Sequence, residues 1–320
     1  MKLSKKEINE IAKSHNLGNV SDVKVISGGW VNYNFNFKTD KGDFIVRIIG
    51  RDVTSKRKKQ LQLEFKVLEY LDKKKFPYGI PLPIKNKEEN YITKIKNKYI
   101  WVYKKINGRI IKDLNETQLK SIIKALALYH KLIKNFPISP KKEENELIGL
   151  KKKFLEMKKT KPRNKSDVLM LKNIDMMIKI LEKIKDKKFK KNLLPVHLDF
   201  HKENVLYQEN KLAGIIDFEH IRVAPRIRDI AYLIKSSIEY KKNKFIKKVE
   251  FIIKEYDQIN PLTNDEKNDI LLILARDSCV MFDRFWRWNS SIVSGGDYIC
   301  LDWTINTVKQ IIKVLDWDID

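Results

Sequence analysis

The 320-residue chain is expected to adopt an α+β fold in which a small antiparallel-sheet part precedes a larger, mainly helical part. Two patterns predict this. Up to Ile106 the chain is dominated by short β-branched and aromatic runs broken by turns, and from Leu114 onward apolar residues recur mostly at helical spacing. The length also suffices for two lobes, each with its own core.

Each element has its own signal. The opening MKLSKKEINEIAK is amphipathic and reads as a helix rather than a signal peptide. SDVKVISGGWVNYNFNFKTDKGDFIVRII then reads as three strands. Val31, Tyr33, Phe35 and Phe37 alternate with Asn32, Asn34 and Asn36, the two-residue period of a half-buried strand. TDKGD supplies a hairpin turn before FIVRII. In KRKKQLQLEFKVLEYLDKK, the spacing of Leu61, Phe65, Leu68 and Leu71 predicts a helix. NYITKIKNKYIWVYKKI returns to strands paired about a lysine-rich turn. Helices follow at ETQLKSIIKALALYHKLIK, at SDVLMLKNIDMMIKILEKIK and over several C-terminal segments. The expected division is a strand-rich part over 1–103, a connection at 104–108 and a helical part over 109–320.

Composition excludes several classes. With 42% hydrophobic and 33% charged residues, the chain fits a soluble globular protein rather than a disordered one. No apolar run approaches the length of a membrane span. Two cysteines, Cys279 and Cys300, are too few for a disulfide framework, so a cytoplasmic location is expected. The net charge of +25 is nearly all scattered lysine, accompanied by abundant isoleucine and asparagine. Nucleic-acid modules interleave arginines and aromatics on one face, and no such module is found, so no specific nucleic-acid partner is expected.

The densest chemistry lies in VHLDFHKENVLY, Val196 to Tyr207. His197, Asp199 and Asn204 form H-x-D-x-x-x-x-N, the spacing of a phosphoryl-transfer catalytic loop. Such transfer needs a carboxylate to accept the attacking hydroxyl's proton and an amide oxygen to hold Mg²⁺ on the phosphates. Beyond it, VLYQENKLAGIIDF reads as a hairpin delivering a second carboxylate, Asp217, beside Asn204. Both are oxygen donors of the kind Mg²⁺ prefers. Two plainer readings compete. His197 and His201 have the i, i+4 spacing of zinc ligands, but the glutamate that would follow the first histidine is absent. Asp199 can also cap a helix starting near Lys202, which explains one residue and not the set.

SGGWVNYNF, Glu64, YHKL, VHLDFHKEN, IIDFE and RDIAYL, in that order, resemble the aminoglycoside phosphotransferase and choline kinase-like family. The resemblance covers most of the chain. It implies a two-lobed protein-kinase-like fold and a kinase that moves the γ-phosphate of ATP or GTP to a hydroxyl of a small metabolite. It further implies that Asp199 is the catalytic base, that Asn204 and Asp217 hold Mg²⁺, and that Asp229 braces the catalytic loop. His130 fits a packing position in the family's helix. The nucleotide is expected against Ser27, Gly28, Gly29, Asn32, Arg47 and Glu64 and along the connection at Tyr103, Lys104 and Ile106. Two positions depart from the pattern. Arg47 stands where a lysine is usual, with a fork suited to phosphate and to Glu64. The SGG stretch holds only two glycines, and a simple hairpin turn also explains it.

A protein kinase is disfavoured because His201 stands two residues after Asp199, where lysine is usual. Asp217 is followed by Phe218-Glu219, and the short interval to Asp229 leaves no room for an activation loop. A non-catalytic scaffold is disfavoured by the intact Asp199, Asn204 and Asp217. For the acceptor, the stretch from Pro261 resembles homoserine kinase-type members, although Thr263 and Glu266 also form a capping box. His201, Asp283, Trp286, Asp302 and Trp303, with Trp288 and Asp297, are candidate acceptor contacts, against the plainer reading of a tryptophan-rich core. The acids and indoles favour an amino alcohol of homoserine, choline or aminoglycoside type. A monomer or homodimer is expected.

Overall fold

The computed structural model describes residues 2–26, 32–50, 52–138, 146–189, 192–237, 245–289 and 296–318, with backbone alone at 288–289 and 296–300. The chain divides into two compact units. One is Met1–Phe136 with Lys202–Arg222; the other is Pro137–His201 with Val223–Asp320.

The first unit opens with α1 (Lys5–Ser14), started by a Ser4–Glu7 capping box. β1 (Val20–Ile26), β2 (Tyr33–Thr39) and β3 (Gly42–Ile48) form an antiparallel meander, and α2 (Ser55–Lys73) follows. β4 (Pro83–Ile84), β5 (Thr93–Ile95) and β6 (Lys98–Lys104) complete the sheet, in which β6 lies beside β3. α3 (Glu116–Ile133) ends this segment and buries His130. The second unit then supplies α4 (Leu150–Lys158), α5 (Lys165–Ile184) and β7 (Leu193–Val196). The chain returns to the first unit with the hairpin β8 (Val205–Gln208) and β9 (Lys211–Ile215). β10 (Arg222–Pro225), α6 (Ile227–Ser237), α7 (Phe245–Asp257), α8 (Asn264–Asn289) and α9 (Gly296–Val314) follow.

Strand alternation sorts the β3 side chains onto two faces. Phe44, Val46 and Ile48 pack with Ile11 and Leu17 around α1. Ile45 and Ile49 pack with Leu61 and Phe65 of α2 and with Trp101 and Tyr103 of β6. Arg47 falls in register with this second face, two residues from each isoleucine, so its charge projects toward the side covered by α2. On α2, Leu61, Glu64, Phe65 and Leu68 form the buried stripe, and the helical period therefore draws Glu64 inward with the apolar residues.

The connection after β6 runs along the hairpin. Arg109 and Tyr207 exchange both backbone hydrogen bonds, and Gly79 does the same with the β9 strand at Ala213 and Ile215. A Cβ on Gly214 would lie 2.6 Å from the Ile106 side chain and 2.8 Å from the Gly79 carbonyl, so this packing requires glycine. In the second unit, α8 packs against α4, α5, α6 and α9. It begins with the Thr263–Glu266 capping box, and the Arg226 guanidinium grips both oxygens of Glu266. Among the described residues no helix is long and apolar enough to cross a membrane.

Candidate active site

In the second unit, the loop after β7 is tied down by a buried carboxylate. Asp229, in the first turn of α6, accepts from the backbone N–H of His197 at 2.8 Å and of Leu198 at 2.6 Å. Leu198 sits at φ 60, a left-handed conformation that an apolar residue adopts only when its surroundings hold it there. Asp199 follows. The hydroxyl of Tyr232 donates to Asp199 Oδ1 at 2.7 Å, and His201 Nε2 lies 3.3 Å from the same oxygen. Burial alone would raise the Asp199 carboxyl. The His201 and His197 imidazoles and the Tyr232 hydroxyl outweigh it and hold the group well below the usual carboxylate range. Asp199 is therefore an oriented, ionised carboxylate. Tyr232 was not singled out from the sequence, but its place one turn after Asp229 on the same helix was a usable signal.

In the first unit, the β8–β9 hairpin brings the backbone of Asn204 near that of Asp217. Ile216 donates its backbone N–H to the Asn204 carbonyl at 2.9 Å, which sets Asn204 next to the residue preceding Asp217. Asp217 has φ 65 and ψ 60 and ends the extended run, so its side chain leaves the hairpin rather than following the strand. Among the described residues no three His, Cys, Asp or Glu side chains form a ready-made metal cage. A carboxylate and an amide oxygen fit Mg²⁺ nonetheless, because that ion keeps water and phosphate oxygens as its remaining ligands.

The guanidinium of Arg47 is clamped on two sides. Nε donates to Asn34 Oδ1 at 2.9 Å, across the β2–β3 pair, and Nη1 donates to Asp217 Oδ1 at 3.1 Å. The Trp101 ring lies 5.5 Å away. Burial disfavours the Arg47 charge, but Tyr103 and the carboxylates of Asp217, Glu64 and Glu219 raise it further above its ordinary value. The expected pairing with Glu64 is not seen as a hydrogen bond: among the described residues neither Glu64 oxygen has a hydrogen-bond partner, although the residue is only 1% exposed. Burial, against the pull of Arg47 and Arg57, pushes the Glu64 carboxyl up to about 7.

A second buried pair lies alongside. Glu219 Oε2 accepts from Arg57 at 3.1 Å and from the Asn32 amide at 2.7 Å, while the Asn32 oxygen accepts from the Gly50 N–H. Asn32 thus joins the end of the SGGWV stretch to the segment after Asp217 through its own amide. Neither Arg57 nor Glu219 was anticipated, since nothing local in the sequence couples them. Ser27, Gly28 and Gly29 lie outside the described residues. Tyr103 is buried on the Arg47 face, Lys104 ends β6, and Ile106 packs against Gly79 and Gly214.

The candidate acceptor contacts are spread over the second unit. Asp283 is buried and paired with Arg287 at 2.8 Å and Lys153 at 3.6 Å. Trp286 carries the Arg163 guanidinium 4.7 Å above its ring. Asp302 accepts from Asn306, and the Trp303 carbonyl accepts from Thr307. The side chains of Trp288 and Asp297 lie outside the described residues. Asp277 is bound by Arg228 and Arg276, and Glu146 by Arg228, Arg276 and Arg284.

Residues 22–244 match the phosphotransferase enzyme family over more than half of the chain. The chain belongs to that family. A homoserine kinase from Chelativorans sp. (strain BNC1) is 23% identical over 295 residues, spanning 89% of this chain and 86% of that protein. Among solved structures, an aminopropanol kinase associated with a microcompartment has a TM-score of 0.69 at 11% identity, covering 97% of each chain. An amicoumacin kinase in complex with AMP-PNP, Ca²⁺ and Ami has a TM-score of 0.67 at 16% identity, covering 96% of this chain and 94% of that one. The fold is therefore the protein-kinase-like fold of this family, and the chain is a small-molecule kinase.

Proposed function

We propose that this family member transfers the γ-phosphate of ATP or GTP to the hydroxyl of a small amino alcohol, with homoserine-type acceptors favoured. The observation that carries the reading is the Asp199 loop. Asp229 fixes its backbone, and Tyr232 and His201 orient and ionise the carboxylate that accepts the hydroxyl proton. Asn204 and Asp217 would hold Mg²⁺, which supplies charge neutralisation on the phosphates. Arg47 binds phosphate oxygens through its fork, and the adenine or guanine ring is assigned to the segment Tyr103 to Gly108.

Two observations support a homoserine-type acceptor within the amino alcohols. One is the likeness to a homoserine kinase along most of both chains. The other is the set of arginines on α6 and α8. Arg228, one helical turn before Tyr232, shares Asp277 with Arg276 and Glu146 with Arg276 and Arg284. Guanidiniums gathered on these helices suit an acceptor that carries a carboxylate as well as an amine. In a panel of homoserine, aminopropanol, choline, an aminoglycoside and a neutral sugar, each tested with ATP and GTP, homoserine should give the highest kcat/KM. A neutral sugar that outperformed every amine acceptor would overturn the reading.

A further inference from the structure

We propose that Arg47 is the resident counter-ion of Asp217 and keeps a free divalent cation off that carboxylate, so that the cation enters only together with the nucleotide. The inference rests on the reading of Asp217 as a metal-holding residue and adds an order of binding to it.

Three features carry it. First, the guanidinium is held to Asp217 by position and not by chance rotation. Arg47 is opposite Asn34 in the β2–β3 register, and its Nε is fixed on the Asn34 amide oxygen while Nη1 reaches Asp217 Oδ1 at 3.1 Å. Second, the pair is largely shielded, with the side chains of Arg47 and Asp217 exposed by 7% and 30%. Water and salt therefore weaken it little. Arginine cannot lose its proton in a protein, so no change of pH releases the carboxylate from this side. A bare cation binding at Asp217 must either break the pair or sit beside a buried positive charge. Third, an alternative acceptor is in place. Glu64, on the helix that covers the same sheet face, is buried, and among the described residues neither of its oxygens has a hydrogen-bond partner. A guanidinium has five N–H donors, enough to serve phosphate oxygens and Glu64 together once it leaves Asp217. The incoming phosphates supply the negative charge that neither cation has alone, so nucleotide and cation relieve each other's cost.

The test reads binding without turnover. Free Mn²⁺, with no nucleotide present, is titrated into wild type and into Arg47→Met and Arg47→Gln, with bound ion followed by electron paramagnetic resonance. Removing one charge-assisted partner of Asp217 should tighten Mn²⁺ by about tenfold or more, even though the same variants lose nucleotide affinity. An unchanged or weaker Mn²⁺ affinity in folded variants overturns the proposal. Asn34→Ala, at a half-buried strand position, is the second variant. Freeing Nε loosens the hold on Asp217 and should tighten Mn²⁺ by about threefold, and no gain there counts equally against the idea. Wild type that binds no nucleotide with or without Mn²⁺ would instead refute the functional reading on which the proposal stands.

Discussion

Replacing Glu64 by glutamine should change stability in a way that depends on pH. The carboxyl is buried on α2, has no hydrogen-bond partner among the described residues and is pushed up from 4.5 to about 7, chiefly by burial. A group whose folded value lies above its unfolded value binds its proton more tightly in the native state. Its stabilising effect is full below the unfolded value near 4.5 and is lost as pH rises through the folded value near 7. At about 1.4 kcal/mol per pH unit, ionisation of Glu64 in place costs about 3 kcal/mol over that window. Glutamine cannot ionise and escapes the cost. Urea unfolding of wild type and Glu64→Gln at pH 5 and pH 8 reads this difference, because titrating groups not coupled to Glu64 cancel between the two proteins. The variant should gain about 2–3 kcal/mol on wild type between pH 5 and pH 8. A difference independent of pH would refute the reasoning and would mean that Glu64 is ionised and satisfied throughout.

Asp199→Asn should retain fold and nucleotide binding while turnover falls by ~10²–10⁴, the span for losing a positioned base; near-normal turnover would remove Asp199 from that role. Asp229→Ala leaves the backbone N–H groups of His197 and Leu198 without their acceptor in a buried loop. It should lower stability by about 2–4 kcal/mol in thermal or urea unfolding, and a loss below about 0.5 kcal/mol would show that water replaces the carboxylate.

Much of the secondary structure was legible in the sequence because its signals are local. Alternation along YNFNFK and FIVRI, and the helical spacing of Leu61, Phe65 and Leu68, are written into neighbouring positions. The candidate catalytic loop is a local signal as well, since His197, Asp199 and Asn204 lie within one short segment. The family resemblance rested on that loop, on IIDFE and on RDIAYL, and the family match covers all three.

Pairing between distant charges was decided by tertiary structure alone. Strand alternation fixes which face of the sheet Arg47 occupies, but not which carboxylate meets it there. The left-handed residue that follows β9, Asp217, supplies one, while Glu64 is buried with no hydrogen-bond partner among the described residues. Arg57 and Glu219 lie 162 positions apart, and Asn32 and Glu219 lie 187 apart, so no spacing rule connects them. The same holds for the acids of the C-terminal helices. Asp283 reads in the sequence as a candidate acceptor contact, yet burial obliges such a group to find partners, and the fold pairs it with Arg287 and Lys153, as it pairs Asp277 with Arg228 and Arg276. Sequence determines which residues carry charge and which face they take. Only the folded chain determines which opposite charge each one meets, because that depends on the approach of segments far apart in the chain.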